Sequence, residues 1–153
     1  MDHVAIMKKS WRLLPKILAG EKTIESRWYQ TKHVPWDKIG AGDTIYFKNS
    51  AEPVTAKAKV SEVLQFQDLT PATVGKILDE YGAQDGIPKG KSPKFFELFK
   101  NKKYCLLIFL KEVQRIKPFN VNKSGFGAMS AWISVGQIEG LKRQTRSKTT
   151  NRT

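Results

Sequence analysis

The sequence predicts an α+β fold, a small mixed β-barrel flanked by short helices. Most of its apolar segments are short and rich in β-branched and aromatic residues, as strands are, and few helical segments separate them. Strands with so few connecting helices favour a barrel over a doubly wound sheet, which alternates strands with helices. The length of 153 residues suits one domain with a core of its own.

Six segments are expected to be strands, at residues 3–8, 24–29, 44–48, 54–66, 104–115 and 131–135. The clearest pattern opens the fourth segment, where every second residue from Val54 to Val60 is apolar and the residues between them are polar. This alternation is typical of a half-buried strand. The run from Cys105 to Leu110 is mostly apolar, which indicates a buried strand.

Three segments are expected to be helices, at residues 11–19, 72–81 and 93–100. Ser10 is the expected N-cap of the first helix, and Gly20 is expected to end it. The second helix follows Thr70-Pro71, because a hydroxyl side chain caps a helix and proline suits its first turn.

The charge balance indicates a polyanionic partner. There are 27 Lys and Arg residues against 14 Asp and Glu residues, a formal net charge of +13. Like charges repel one another in the folded state, and RNA or DNA would offset that repulsion by its phosphates. The alternatives at this point are an anionic membrane surface and a protein that is merely soluble and basic.

The composition also narrows the range of sites. No apolar run approaches the roughly 20 residues of a membrane span, and the N-terminus does not resemble a secretory leader, so we expect a cytoplasmic protein without a membrane partner. The single cysteine, Cys105, cannot form an internal disulfide. With only two histidines as well, the common zinc sites are excluded, and no metal or cofactor is predicted.

The last segment differs from the rest in composition. Residues 1–140 are expected to form the folded domain, and residues 141–153 a basic tail that is too polar to pack and is therefore disordered. The expected contacts to a phosphate backbone are three cations of this tail and two lysines of the loop at 85–92: Lys142, Arg143 and Arg146, with Lys89 and Lys91. The tail could instead only aid solubility, or bind an acidic protein partner.

A cluster of charged residues lies where the first helix ends and the second strand begins. In an extended segment Glu25, Arg27 and Tyr29 point to one side, and Lys22 can lean over the same opening from the turn. Such a set can hold a nucleotide, or Glu25 can act as a general base while Lys22 stabilises negative charge. A surface ion pair of little consequence is the alternative.

Four segments resemble the ASCH domain family, whose fold is a PUA-like β-barrel related to the EVE and YTH domains. They are G-x-K-x-x-E-x-R from Gly20 to Arg27, G-D-x-I-x-F from Gly42 to Phe47, the strand from Ala56 to Val60 that follows it, and the segment from Gly125 to Trp132. The resemblance extends over roughly residues 4–135. It implies an RNA-associated role and a cleft lined by Lys22, Glu25 and Arg27, with Thr23 beside them.

Other residues are candidates for the same cleft. Tyr29 and Phe126 offer rings for a base, and Ser50 and Ser130 offer hydroxyl groups. The main alternative is an enzyme, since some ASCH proteins resemble hydrolases of acylated cytidine and others resemble ribonucleases. Glu25 stands where those amidohydrolases have a threonine nucleophile, which argues against an acyl-enzyme route. We therefore expect an RNA-binding module first and a small hydrolase second.

Overall fold

A computed structural model describes residues 1–127 and 129–142 of the chain. Within these residues the strands form one mixed sheet, curled into a half-barrel, in the order β2-β5-β4-β3-β1-β6. Their bounds are β1 (Asp2–Met7), β2 (Ile24–Tyr29), β3 (Thr44–Asn49), β4 (Val54–Phe66), β5 (Tyr104–Phe119) and β6 (Trp132–Val135).

The pairing leaves two outer strands. β1 runs parallel to β3 and antiparallel to β6, and the other neighbours are antiparallel. Register shifts interrupt the long β4–β5 ladder at three places, and a bulge of this kind bends a strand and increases its twist. The outer strands are β2 and β6. β2 pairs with β5 along one edge, and its other edge faces the end of β1.

The helices are α1 (Leu13–Leu18), α2 (Pro71–Tyr81) and α3 (Ser92–Phe99). Thr70 caps α2 through a reciprocal pair of hydrogen bonds with Thr73, as its sequence predicts. The prediction for α1 is wrong at its start. Ser10 lies in a 3₁₀ turn, and Arg12 takes a left-handed conformation with φ of 55° before the helix begins. Proline is best tolerated in the first turn of a helix, where its missing N–H costs no helical hydrogen bond, and Pro15 falls there.

The two faces of the sheet bury two separate cores. Leu106 and Ile108 of β5 pack in one cluster with β1, β3, β4 and α1. Cys105 and Leu107, on the opposite face of β5, pack with β2 and α2. Because both faces are covered, the run from Cys105 is apolar at consecutive positions and not at alternate ones.

The packed part of the chain extends slightly past residue 140. Leu141 is buried in a third cluster with Val4 and Ile133, and Lys142 pairs with Val121 in an isolated bridge. The tail residues Arg143 and Arg146 lie outside the described residues. In the part of the chain that the structure describes, no helix is long and apolar enough to span a membrane.

Candidate functional site

A pocket of about 320 Å³ lies between the free edge of β2 and the end of β1. Residues of β2 line one side, and Ile6, Met7 and Ala131 line the other. Arg27 spans the gap, because its Nη1 donates to the carbonyl of Ala131 at 3.2 Å and its Nη2 lies 3.5 Å from the carbonyl of Ile6. The pocket therefore occupies the place where the sheet does not close.

Lys22 lies beneath the pocket and not over its opening. Its side chain is only 1% exposed. Its Nζ approaches the carbonyl of Ile24 at 2.6 Å, the carbonyl of Asp85 at 2.7 Å and Asp85 Oδ1 at 2.5 Å, and Glu25 Oε1 lies 3.2 Å away. An ammonium group has three hydrogens. Four acceptors already surround this one, so it has no donor left for a ligand.

Glu25 and Arg27 form the second half of the same cluster. Arg27 donates through Nε and Nη2 to Glu25 Oε2, at 2.9 and 2.8 Å. Burial alone would raise the pKa of Glu25, but the charges of Lys22 and Arg27 outweigh it and lower that pKa. Glu25 is therefore a carboxylate at neutral pH, held between two cations.

Asp85 is the member of the cluster that the motif did not reveal. It lies in the loop between α2 and α3, 63 residues from Lys22, and its other oxygen accepts a hydrogen bond from Ser26 at 2.6 Å. Burial raises its pKa, and the charge of Lys22 opposes that shift. A single acid in a loop carries no sequence signal of a long-range ion pair.

Gly86 allows the loop to reach Lys22. Its φ of +83° is one that residues with a Cβ rarely adopt. A Cβ at this position would lie 3.1 Å from Cβ and Cδ of Lys22. The glycine therefore satisfies both the conformation of the turn and the close packing of the loop against the lysine stem.

Both faces of β2 contribute to the pocket. The predicted alternation is present, since Trp28 packs in the α2 cluster and Tyr29 packs against the α1 cluster. Even so, Ser26 and Trp28 line the pocket together with Glu25, Arg27 and Tyr29. Because β2 is an outer strand, a pocket at its free edge can meet side chains from either face.

Aromatic side chains form much of the wall. Trp28 stacks on Phe99 with ring centroids 4.7 Å apart and planes 5° from parallel. Trp11 meets Phe95 edge to face at 5.6 Å, and Lys8 lies over the Trp11 ring at 5.3 Å. Trp11 and the two phenylalanines were missed by the sequence analysis, because no local pattern brings the 3₁₀ turn before α1 next to α3.

A buried network holds Arg27 from the opposite side. The guanidinium lies 5.1 Å from the ring of Trp132, whose indole N–H points to His3 Nδ1 at 3.2 Å. His3 Nε2 lies 2.9 Å from Asp43, and its Nδ1 lies 2.8 Å from the Ser134 hydroxyl. Burial lowers the pKa of His3 and Asp43 opposes the shift, so the ring is neutral at neutral pH.

The remaining predicted site residues are not in the lining of this pocket. Thr23 is exposed directly before β2, Ser50 is exposed in the turn after β3, and Phe126 is exposed in the loop before β6. The Ser130 hydroxyl donates to the carbonyl of Trp132, next to the lining residue Ala131. Roles for these residues in binding stay predictions.

The predicted phosphate contacts in the described residues are all exposed. Lys89 and Lys91 lie in the loop before α3, and Lys91 lines a smaller pocket beside the first. Lys142 covers the ring of Phe119 at 4.8 Å. These cations are available to a phosphate backbone, and their role in binding stays a prediction.

Solved structures share the fold of this chain, although its sequence has no match among family profiles or curated proteins. The chain is similar to the ASCH protein of Zymomonas mobilis, at 16% identity and a TM-score of 0.64, over 94% of this chain and 96% of that one. Two mutants of that protein match with TM-scores of 0.65 and 0.64, again at 16% identity, over 91% of this chain and 93% and 91% of theirs. The chain therefore has the fold of an ASCH domain, with a small, barrel-like sheet of the α+β class.

Proposed function

We propose that this protein binds single-stranded RNA and takes one nucleobase into the pocket beside β2. The observation that carries the proposal is the pocket itself, an aromatic-walled cavity of about 320 Å³ with a carboxylate and a guanidinium in its lining. Ligand pockets typically combine apolar walls with a few placed polar groups. RNA, among polyanions, is favoured by the ASCH-type fold and by the net charge of +13.

The aromatic wall supplies the contact that a base needs. Single-stranded nucleic acid sites stack bases on aromatic rings, at about 1–3 kcal/mol per base. Trp11 and Phe95 are half-buried at the pocket, so they retain accessible ring surface, whereas Trp28 is largely covered by Phe99. Trp11 is accordingly the ring on which we expect a base to stack.

Glu25 and Arg27 supply the polar contacts. A carboxylate has about four acceptor positions. Lys22 and the two Arg27 contacts occupy three of those of Glu25, which leaves one for a base N–H group. Arg27, with a side chain 13% exposed, carries N–H groups at the same wall. This pair can therefore read a base edge that offers both a donor and an acceptor.

The same geometry favours binding over catalysis by Lys22 and Glu25. A general base works best with a pKa near the operating pH, and the neighbouring cations instead lower that of Glu25. Lys22 is enclosed by acceptors and does not meet a ligand. Both residues are then best assigned to shaping the pocket.

The test is fluorescence anisotropy with a fluorescein-labelled single-stranded RNA dodecamer of mixed sequence. The wild-type protein is expected to bind with an affinity that falls as salt rises. Trp11→Ala should weaken binding about 5- to 150-fold, the loss of one stacked base. Arg27→Ala removes the polar contact and should weaken binding as well.

Trp36→Ala is the matched control, since Trp36 is also half-buried but packs against Tyr104 outside the pocket. It should leave the RNA affinity close to that of the wild type. Circular dichroism spectra of all variants would check that the fold persists. Unchanged RNA affinity in both Trp11→Ala and Arg27→Ala would rule out this pocket as the base site.

A further inference from the structure

A second, smaller pocket of about 160 Å³ adjoins the first and differs from it in charge. Lys16, Lys91 and Lys94 line it, and none of its lining residues in the described part of the chain is a carboxylate. The first pocket, in contrast, has Glu25 and Asp85 to balance its cations. One pocket is thus nearly balanced in charge, and its neighbour carries three positive charges.

The lysines of this second pocket are not neutralised, and one of them is held in position by its side chain. The carbonyl of Lys91 accepts hydrogen bonds from the amides of Lys94 and Phe95, which places both lysines at the start of α3. Lys16 Nζ donates to the carbonyl of Gly86 at 2.9 Å and keeps two further hydrogens. Among the described residues, no acid pairs with any of the three.

The two pockets share a wall. Trp11 and Phe95, in edge-to-face contact, line both of them. A group bound on the lysine side would therefore lie beside the same two aromatic rings as a base bound in the first pocket. Uncompensated lysines beside an aromatic ring are suited to a phosphate group next to a stacked base.

We infer that the lysine pocket holds the phosphate of the nucleotide whose base occupies the first pocket. The ligand class is then a phosphorylated nucleotide within a strand, and a free nucleoside binds poorly. This inference rests on the proposed function, because it needs a base in the first pocket. It adds Lys16 and Lys94 to Lys91, which was already a predicted phosphate contact, and assigns all three a ligand.

The test compares Lys91→Ala/Lys94→Ala with the matched pair Lys111→Ala/Lys117→Ala. The control removes two exposed lysines of β5 that line neither pocket. Each protein is titrated against the labelled RNA dodecamer between about 50 and 300 mM salt. The plot of log affinity against log salt has a negative slope, and the loss of two phosphate contacts should make it less steep by about 1.4. Binding should also weaken about tenfold at the lowest salt. The control should change both quantities much less.

Competition separates a phosphate subsite from general attraction. An equal mixture of the four ribonucleoside monophosphates should displace the dodecamer from wild-type protein at least about tenfold better than the four nucleosides do. In Lys91→Ala/Lys94→Ala the ratio of displacement by monophosphates to displacement by nucleosides should fall towards one. In Lys111→Ala/Lys117→Ala the ratio should stay as in the wild type. An unchanged ratio, or equal slopes in the two variants, would overturn the inference while leaving the base pocket intact. Loss of RNA binding in Trp11→Ala but not in Lys91→Ala/Lys94→Ala would also overturn the phosphate subsite and leave the base pocket intact. A wild-type protein that binds no RNA would defeat the proposed function as well.

Discussion

Replacement of Lys22 by methionine removes the cation that lies between two buried carboxylates. Methionine is close to the stem of lysine in shape, so the packing against Gly86 is largely kept. Of their side-chain partners among residues 1–127 and 129–142, Glu25 then retains Arg27 alone, and Asp85 retains the hydroxyl of Ser26 alone. The substitution therefore removes the ammonium charge of a side chain that is only 1% exposed.

The expected cost is about 3–5 kcal/mol of unfolding free energy, the usual result of leaving a buried charge without its partner. For a domain of this size each kcal/mol lowers the melting temperature by about 2–4 °C, so the transition should fall by about 10 °C. Lys100→Met provides the matched control. Lys100 pairs with Glu97 at 2.7 Å, but the two side chains are 37% and 65% exposed. Its loss should cost less than about 1 kcal/mol.

Urea unfolding followed by tryptophan fluorescence measures both changes. In Lys22→Met/Asp85→Asn the second substitution removes the stranded charge, so the double variant should be less destabilised than the sum of the single variants. Equal losses of unfolding free energy in Lys22→Met and Lys100→Met would refute this reasoning. They would mean that the loss of a cation costs no more in the buried cluster than at the surface.

The Lys22→Met variant should also respond to pH in a definite direction. Without the lysine, burial raises the folded-state pKa of Asp85 further above its unfolded value. A carboxyl of this kind binds its proton more tightly in the folded state, so stability rises as the pH falls towards the unfolded pKa. The difference in unfolding free energy between Lys22→Met and the wild type should therefore be smaller at about pH 5 than at pH 7.

Two further predictions concern single residues. The pKa of His3 is lowered by burial, so its stabilising contribution is complete above its unfolded value of 6.5 and is lost as the pH falls below it. The wild-type melting temperature should drop between about pH 7 and pH 5, and His3→Gln, which can keep the contact to Asp43, should flatten that profile. Gly86→Ala should cost about 1–3 kcal/mol in urea unfolding, from a positive φ and from contact with Lys22. Gly90→Ala, which has a positive φ but open space around it, should cost less, and equal costs would show that the close packing is unimportant.

Much of the secondary structure could be predicted from local pattern. The bounds of β2 and β4 agree with the prediction at both ends, and α2 differs by one residue. These elements have alternation or a cap within a few neighbouring residues. The start of α1 was predicted wrongly, because Arg12 takes a positive φ that no residue nearby signals.

The pocket was predictable only in part. The motif from Gly20 to Arg27 pointed to Lys22, Glu25 and Arg27, and these three residues do line one cavity. Lys22 was expected to lean over the opening, whereas it lies beneath it. Its position depends on Asp85, and an ion pair between residues 63 apart is set by how the loop before α3 folds back.

Local periodicity and capping residues are properties of short stretches, so the chain alone was enough to indicate the class of fold and most of its strands. The excess of basic residues is a property of composition, and the anionic partner that it indicates stays a prediction. The gap between β2 and β1, the aromatic wall of Trp11 and Phe95, and the two-sided use of β2 arise from contacts between distant segments. Such contacts depend on how the sheet curls and on which strand is left at its edge, and no short stretch of sequence records either.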